Sequence, residues 1–192
     1  TSSVYAAVIA LLLIFFYIFL RFNRWQYSAG AVAALFHDTL VVLAIFSIGH
    51  GILPFAMTID QAFIAAILTV IGYSINDTVV VFDRIREFMN IYTNKTKEEV
   101  INSAINSTVS RTVITSLTTL FVVAILLFFG GSSIRGFAFA LLIGIIVGTY
   151  SSIFIATPLV IDLSGQDVKI ESGGPSTVKK PLSRAERAMQ NS

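Results

Sequence analysis

The chain of 192 residues contains no cysteine. Disulfides, thiolate metal sites and a cysteine nucleophile are therefore excluded, and nothing about redox compartment follows. Charge is nearly as scarce. Asp, Glu, Lys and Arg together make up 12% of the chain, about half the share carried by soluble domains. Hydrophobic residues reach 55% and there are 16 Phe. A water-exposed fold with so few charges would show large apolar patches. The balance excludes a soluble enzyme, a disordered chain and a nucleic-acid binder working through a basic face. A net charge of +2 is too small, by itself, to argue for an anionic partner. No metal-ligand spacing, nucleophile–base set or phosphate-binding loop is present, so neither enzymatic activity nor a cofactor is expected.

What the sequence has in quantity is long apolar runs. Five are long enough to cross a bilayer, which takes about 20 mostly apolar residues: roughly 4–20, 29–53, 61–82, 112–129 and 134–161. Each is apolar around its whole circumference, as helices in lipid are, and helices are the expected state where no water pairs the backbone. The fold class expected is an all-α integral membrane bundle of five transmembrane helices. Thr96 followed by Glu99 matches a capping box and opens an amphipathic stretch over about 97–109, read as a cytoplasmic interfacial helix feeding the fourth span. The segment 164–192, rich in Gly, Pro, Ser and Lys, is expected to be a flexible cytoplasmic tail.

Orientation follows from the basic residues. Of the 13 Lys and Arg, all but Arg135 fall on one side: Arg21 and Arg24, then Arg84, Arg86, Lys95, Lys97 and Arg111, then Lys169, Lys179, Lys180, Arg184 and Arg187. The N-terminus is accordingly expected outside and the C-terminus in the cytoplasm. Five spans with an outside start lead to the expectation of at least one further span upstream of Thr1.

Ionisable residues inside spans cost at least about 2.5–3.5 kcal/mol and are functional candidates by default. Asp77 lies some six residues from the cytoplasmic end of the third span, roughly 9 Å deep at the helical rise. Asp38 lies about nine residues into the second span, roughly 13 Å from the same face. The two carboxylates can therefore face each other or share a partner, for which Arg111 is the candidate. A guanidinium favours the ionised acid and burial the neutral one, so a carboxyl held between them can load and release a proton. Two other readings stand beside this one. The Asp–Arg pair is a clamp fixing helix register, or Arg111 only snorkels to the interface. Asp38 can also be satisfied locally by His37 and Thr39, with His37 a packed polar residue and His50 in the outer loop.

Supporting polar residues surround these positions. Ser74, Asn76 and Thr78 flank Asp77, and Ser110, Thr112, Thr115, Ser116, Thr118 and Thr119 follow Arg111 inward, either as interhelical glue or as the lining of a wet path. In the last span Gly136, Ala140, Gly144 and Gly148 recur every fourth residue, a face for close helix packing. His37-Asp38-Thr39 and Asn76-Asp77-Thr78, each followed by an aliphatic run, form a short internal echo.

The run Gly72-Tyr73-Ser74-Ile75-Asn76-Asp77-Thr78-Val79-Val80-Val81-Phe82-Asp83-Arg84-Ile85-Arg86-Glu87 resembles the signature of the SecF family, including the SecF half of fused SecDF proteins. Ala34-Leu35-Phe36-His37-Asp38-Thr39 and Asn106-Ser107-Thr108-Val109-Ser110-Arg111-Thr112 add to the resemblance, which runs from about Tyr17 to Leu163. The resemblance implies membership of the RND superfamily and half of its pseudo-symmetric transporter core, with a first span and a periplasmic domain preceding this chain. It implies an accessory subunit of bacterial protein export that uses the proton or sodium gradient. Its partners would be SecD, the SecYEG channel, the translocating preprotein and membrane lipid, in the bacterial cytoplasmic membrane. By the same resemblance Asp77 matches the family's proton-path aspartate and Arg111 the arginine of the next span. The alternatives are an RND-type exporter of small molecules or lipids and a non-transporting membrane scaffold.

Overall fold

A computed structural model describes residues 2–164 apart from Ala56 and Thr93, with only the backbone of 2–4 and 6–8. The expected tail beyond Ser164 lies outside the described residues. Among the described residues there are helices and no strand: α1 Ser2–Phe22, α2 Trp25–Gly49, α3 Gln61–Ile91, α4 Lys97–Phe129, α5 Ser132–Ser151, a π turn Ser152–Ala156, and α6 Thr157–Leu163. The last three run on without interruption as one span, Ser132–Leu163. Among the described residues, four helices are long and apolar enough to cross a membrane, and α1 adds the apolar stretch Ile9–Phe22. The protein is a multi-pass, all-α membrane protein.

Local chemistry sets the helix ends. Only Asn23 and Arg24 separate α1 from α2. Asn23 takes a left-handed conformation, φ 54°, which Asn tolerates better than other side-chain-bearing residues. The Asp60 side chain caps α3 by accepting from the Phe63 N–H at 3.0 Å. That backbone hydrogen bond holds the exposed Asp60 carboxyl below the usual carboxylate range. At α4 the capping box forms: Thr96 Oγ1 accepts from the Glu99 N–H, and the Glu99 carboxylate accepts from the Thr96 N–H. The stretch 97–109 and the span after it form one unbroken helix of 33 residues. At 1.5 Å per residue its length is about 50 Å, well beyond the roughly 30 Å of hydrocarbon, so part of α4 projects past the bilayer.

The core has two apolar clusters with a polar belt between them. One cluster sits at the α1–α2 turn, where Phe22, Tyr27, Phe82, Ile85, Ala156 and Val160 meet. The other lies toward the opposite end, around Phe46, Phe63, Val70, Leu141 and Ile145. Between them, in chain position, are buried Asp38, Ser74, Asp77, Thr78, Thr112, Ser116, Ser151 and Ser152.

The belt exists because α3 and α5 run parallel at very close range. The Thr78–Ser152 contact spans 74 positions, and the same offset pairs Val70 with Gly144 and Ser74 with Gly148. A Cβ on Gly144 would meet both methyls of Val70, and one on Gly148 would lie 3.1 Å from Ser74 Cβ. The glycine repeat read in the sequence is thus the face that seats α3, as small residues do in membranes. Gly30 does the same for α2 against the end of the last span: a Cβ there would lie 2.8 Å from Val160 Cγ2 and 2.9 Å from the Ala156 carbonyl oxygen.

Candidate ion-pathway site

Two carboxylates lie in the belt, and their surroundings are opposite in kind. Asp38, 1% exposed, is fully partnered. Ser74 Oγ donates to its Oδ2 at 2.7 Å and Ser151 Oγ donates to the same oxygen at 2.8 Å. His37 Nδ1 lies 3.2 Å from Oδ1. Asp38 therefore joins α2, α3 and α5 through donors that reach it from both neighbouring helices. Of the local partners expected from sequence, His37 is in place and Thr39 is not: the Thr39 hydroxyl donates to the Leu35 carbonyl at 2.8 Å. The donor that replaces it, Ser151, is 113 positions away.

Asp77 is 5% exposed, and its Oδ2 is buried without a hydrogen-bond partner. Such an atom bears its desolvation cost uncompensated, unlike most buried polar atoms. Arg111 is exposed on α4 and forms no ion pair with Asp77 among the described residues. It acts on the carboxyl through space. The two carboxylates do not share Arg111. They are linked instead by the α3 face, on which Ser74, Asp77 and Thr78 are one turn apart.

The flanking hydroxyls divide by role. Thr78 Oγ1 lies 3.0 Å from Ser152 Oγ. Ser152 donates to the Gly148 carbonyl at 2.8 Å, which leaves Thr78 as the donor between them. One turn from Asp77 on the other side, Tyr73 donates to Ser116 Oγ at 3.4 Å, and Ser116 meets Thr149 at 2.7 Å. Thr149 passes its own proton to the Ile145 carbonyl. This chain ends on a backbone acceptor and holds α3, α4 and α5 together. The antiparallel register that sets Tyr73 against Ser116 sets Asp77 opposite buried Thr112. Thr115, Thr118 and Thr119 bond only to carbonyls of their own helix. Asn76 is exposed on the flank of α3.

Sequence reasoning missed Ser151, Ser152 and Thr149. The signal available was Pro158, which cannot donate to the carbonyl four residues earlier and disturbs the preceding turn. The π turn Ser152–Ala156 ends two residues before it, and Thr157 Oγ1 donates back to the Ser152 carbonyl at 3.1 Å. Such wide turns recur at functional sites.

Comparison with known proteins places the chain in a family. The sequence model of the family described as protein export membrane protein SecD/SecF, C-terminal, matches residues 1–166. The protein translocase subunit SecF of Rhodothermus marinus is 62% identical over 162 residues, 84% of this chain and 52% of the relative. The protein translocase subunit SecDF of Brucella abortus is 42% identical over 172 residues, 90% of this chain and 22% of the relative. The crystal structure of SecDF from Thermus thermophilus, described as a translocon-associated membrane protein, superposes with a TM-score of 0.74 at 43% identity, covering 84% of this chain and 21% of that one. SecDF in its super-membrane-facing form gives a TM-score of 0.75 at the same identity and coverage. The chain spans about half the length of the SecF relatives it matches. With a family match over all the described residues and the helical core of SecDF, the chain belongs to the SecD/SecF family of protein export membrane proteins.

Proposed function

We propose that this chain supplies the ion-coupling carboxylate of an accessory subunit of bacterial protein export, at Asp77. The single observation that carries the reading is the buried, unpartnered Oδ2 of Asp77 in a bundle where the other intramembrane carboxylate has every partner it needs. A proton or a sodium ion would supply the partner Oδ2 lacks. Loading and unloading it changes the charge facing Arg111 and so the attraction between α3 and α4. One charge moved through the membrane potential yields about 2.3 kcal/mol per 100 mV, enough to bias a packed helix pair. Asp38 is the supporting polar site that keeps α2, α3 and α5 in register, with Ser74 and Thr78 on the same face and Asn76 at its margin.

The proposed partners are SecD, fused or separate, the SecYEG channel, the translocating preprotein and membrane lipid; the relatives' names, protein translocase subunits SecF and SecDF, support a place in the translocation machinery. The setting is the bacterial cytoplasmic membrane, with the basic helix ends and the C-terminus in the cytoplasm. In the whole protein, with SecD, Asp77→Asn is expected to abolish gradient-dependent stimulation of preprotein export in inverted vesicles. Export without a gradient and the amount of assembled complex are expected to stay at wild-type level. Stimulation that survives the substitution would reject the role of Asp77.

A further inference from the structure

The end of the bundle at the α1–α2 turn carries cations of two kinds. Some are matched: Arg21 Nη2 lies 2.7 Å from Asp83 Oδ2, and Arg84 Nη1 lies 2.7 Å from Glu87 Oε2. Arg24 and Arg86 have no carboxylate partner among the described residues. Arg86 is tethered by a donation to the Arg21 carbonyl at 3.3 Å. Arg24 is placed by the left-handed Asn23 before it. Arg24 stands three residues before Tyr27, one turn away at the start of α2, and the tether holds Arg86 at the residue next to Phe22, on which Tyr27 stacks.

Tyr27 is 8% exposed, and its hydroxyl makes no hydrogen bond among the described residues. Its ring is fixed, stacked on Phe22 with centroids 5.0 Å apart and edge-on to Phe82 at 5.0 Å. Two unmatched guanidinium groups thus converge on a rigid hydroxyl donor that lacks an acceptor. Guanidinium matches phosphate geometry with paired N–H donors, and basic pockets between helices at the membrane edge take lipid head groups.

We propose that this corner, Arg24, Arg86 and Tyr27, binds the phosphate of an anionic phospholipid. The surroundings select a lipid over a free anion. Trp25 is half exposed beside Arg24, the place where Trp marks the membrane–water boundary. Just inside that level α1 exposes Phe16 and Leu20, a surface for acyl chains. Asp83 does not compete, because Arg21 holds it, and Asp162 forms no ion pair with Arg24 or Arg86 among the described residues.

The test is native mass spectrometry of the whole protein with SecD, released from detergent carrying phosphatidylglycerol, phosphatidylcholine or inorganic phosphate. Wild type is expected to retain phosphatidylglycerol and not phosphatidylcholine. Arg24→Gln/Arg86→Gln is expected to bind phosphatidylglycerol about 30-fold more weakly, at roughly fivefold per cation. If the double variant does not fold, each single variant decides with its fivefold loss. Arg24→Lys/Arg86→Lys keeps the charges and is expected to keep most of the binding. Arg84→Gln, held by Glu87, is expected to change nothing. Wild-type retention in the glutamine variants, an equal loss in Arg84→Gln, or displacement of the lipid by millimolar inorganic phosphate would each overturn the assignment.

Discussion

Gly144→Leu is expected to destabilise the bundle by about 3 kcal/mol, the upper end of the usual cost of overpacking a core. Even a single Cβ at Gly144 would meet Val70, with Cγ1 at 2.7 Å and Cβ at 2.9 Å. Val is β-branched and held to one rotamer in a helix, so it cannot swing aside, and α3 must move. Moving α3 away from α5 breaks the Thr78–Ser152 contact and the reach of Ser74 to Asp38. The loss is therefore read twice, as a lowered thermal midpoint in detergent and as lost gradient-dependent export. Gly144→Ala/Val70→Ala returns the volume and is expected to recover most of the midpoint. Gly72→Ala is the control: a Cβ there meets nothing within 4 Å, and replacing Gly by Ala favours a helix by about 1 kcal/mol. A Gly144→Leu protein that melts with wild type would show that the α3–α5 contact is not close-packed.

The second large effect is expected at Asp38. Asp38→Ala removes the acceptor common to Ser74 and Ser151 and opens a gap in a position that is 1% exposed. Leaving two buried hydroxyls to fall back on their own helices, with the lost packing added, costs about 2–4 kcal/mol. Asp38→Asn keeps an acceptor of the same shape, and rotating hydroxyls can serve its amide, so most of the stability is expected to remain. The two aspartates should thus separate by assay. At Asp38 the alanine variant loses stability and the asparagine variant largely keeps it. At Asp77 the asparagine variant keeps the fold and loses gradient coupling. Thermal midpoints of the whole complex check the first pair; an unchanged midpoint for Asp38→Ala would remove Asp38 from the set of helix clamps.

Much of this architecture is legible in the sequence. Apolar runs placed the helices, because a chain without water has few other ways to pair its backbone. Asp77 stood out for being charged where charge is costly. The small-residue face stood out by its spacing, although nothing local said that its partner would be the face bearing Val70, Ser74 and Thr78. What was not readable is long-range geometry. Thr39 is adjacent to Asp38 and bonds elsewhere, whereas Ser151 is distant and bonds to it. Adjacent side chains on a helix point about 100° apart, so sequence neighbours are poor candidates for a shared partner. The sequence makes Arg111 the candidate partner of Asp77, whereas in the structure it lies on the exposed side of α4 and forms no ion pair with Asp77 among the described residues.

The wide turn after Ser151 has a geometric result for the last span. Gly30 meets the Ala156 carbonyl at the end of that turn and Val160 just past it, and a π turn closes on one residue more than an α-helical turn. An uninterrupted α-helix would arrive there out of phase by about 100°. The π turn absorbs that surplus residue, so the span keeps time with α3 through Ser152 and then rejoins α2 at Gly30. It works as a phase shifter, letting one helix mesh with two neighbours whose side-chain ridges run on different counts.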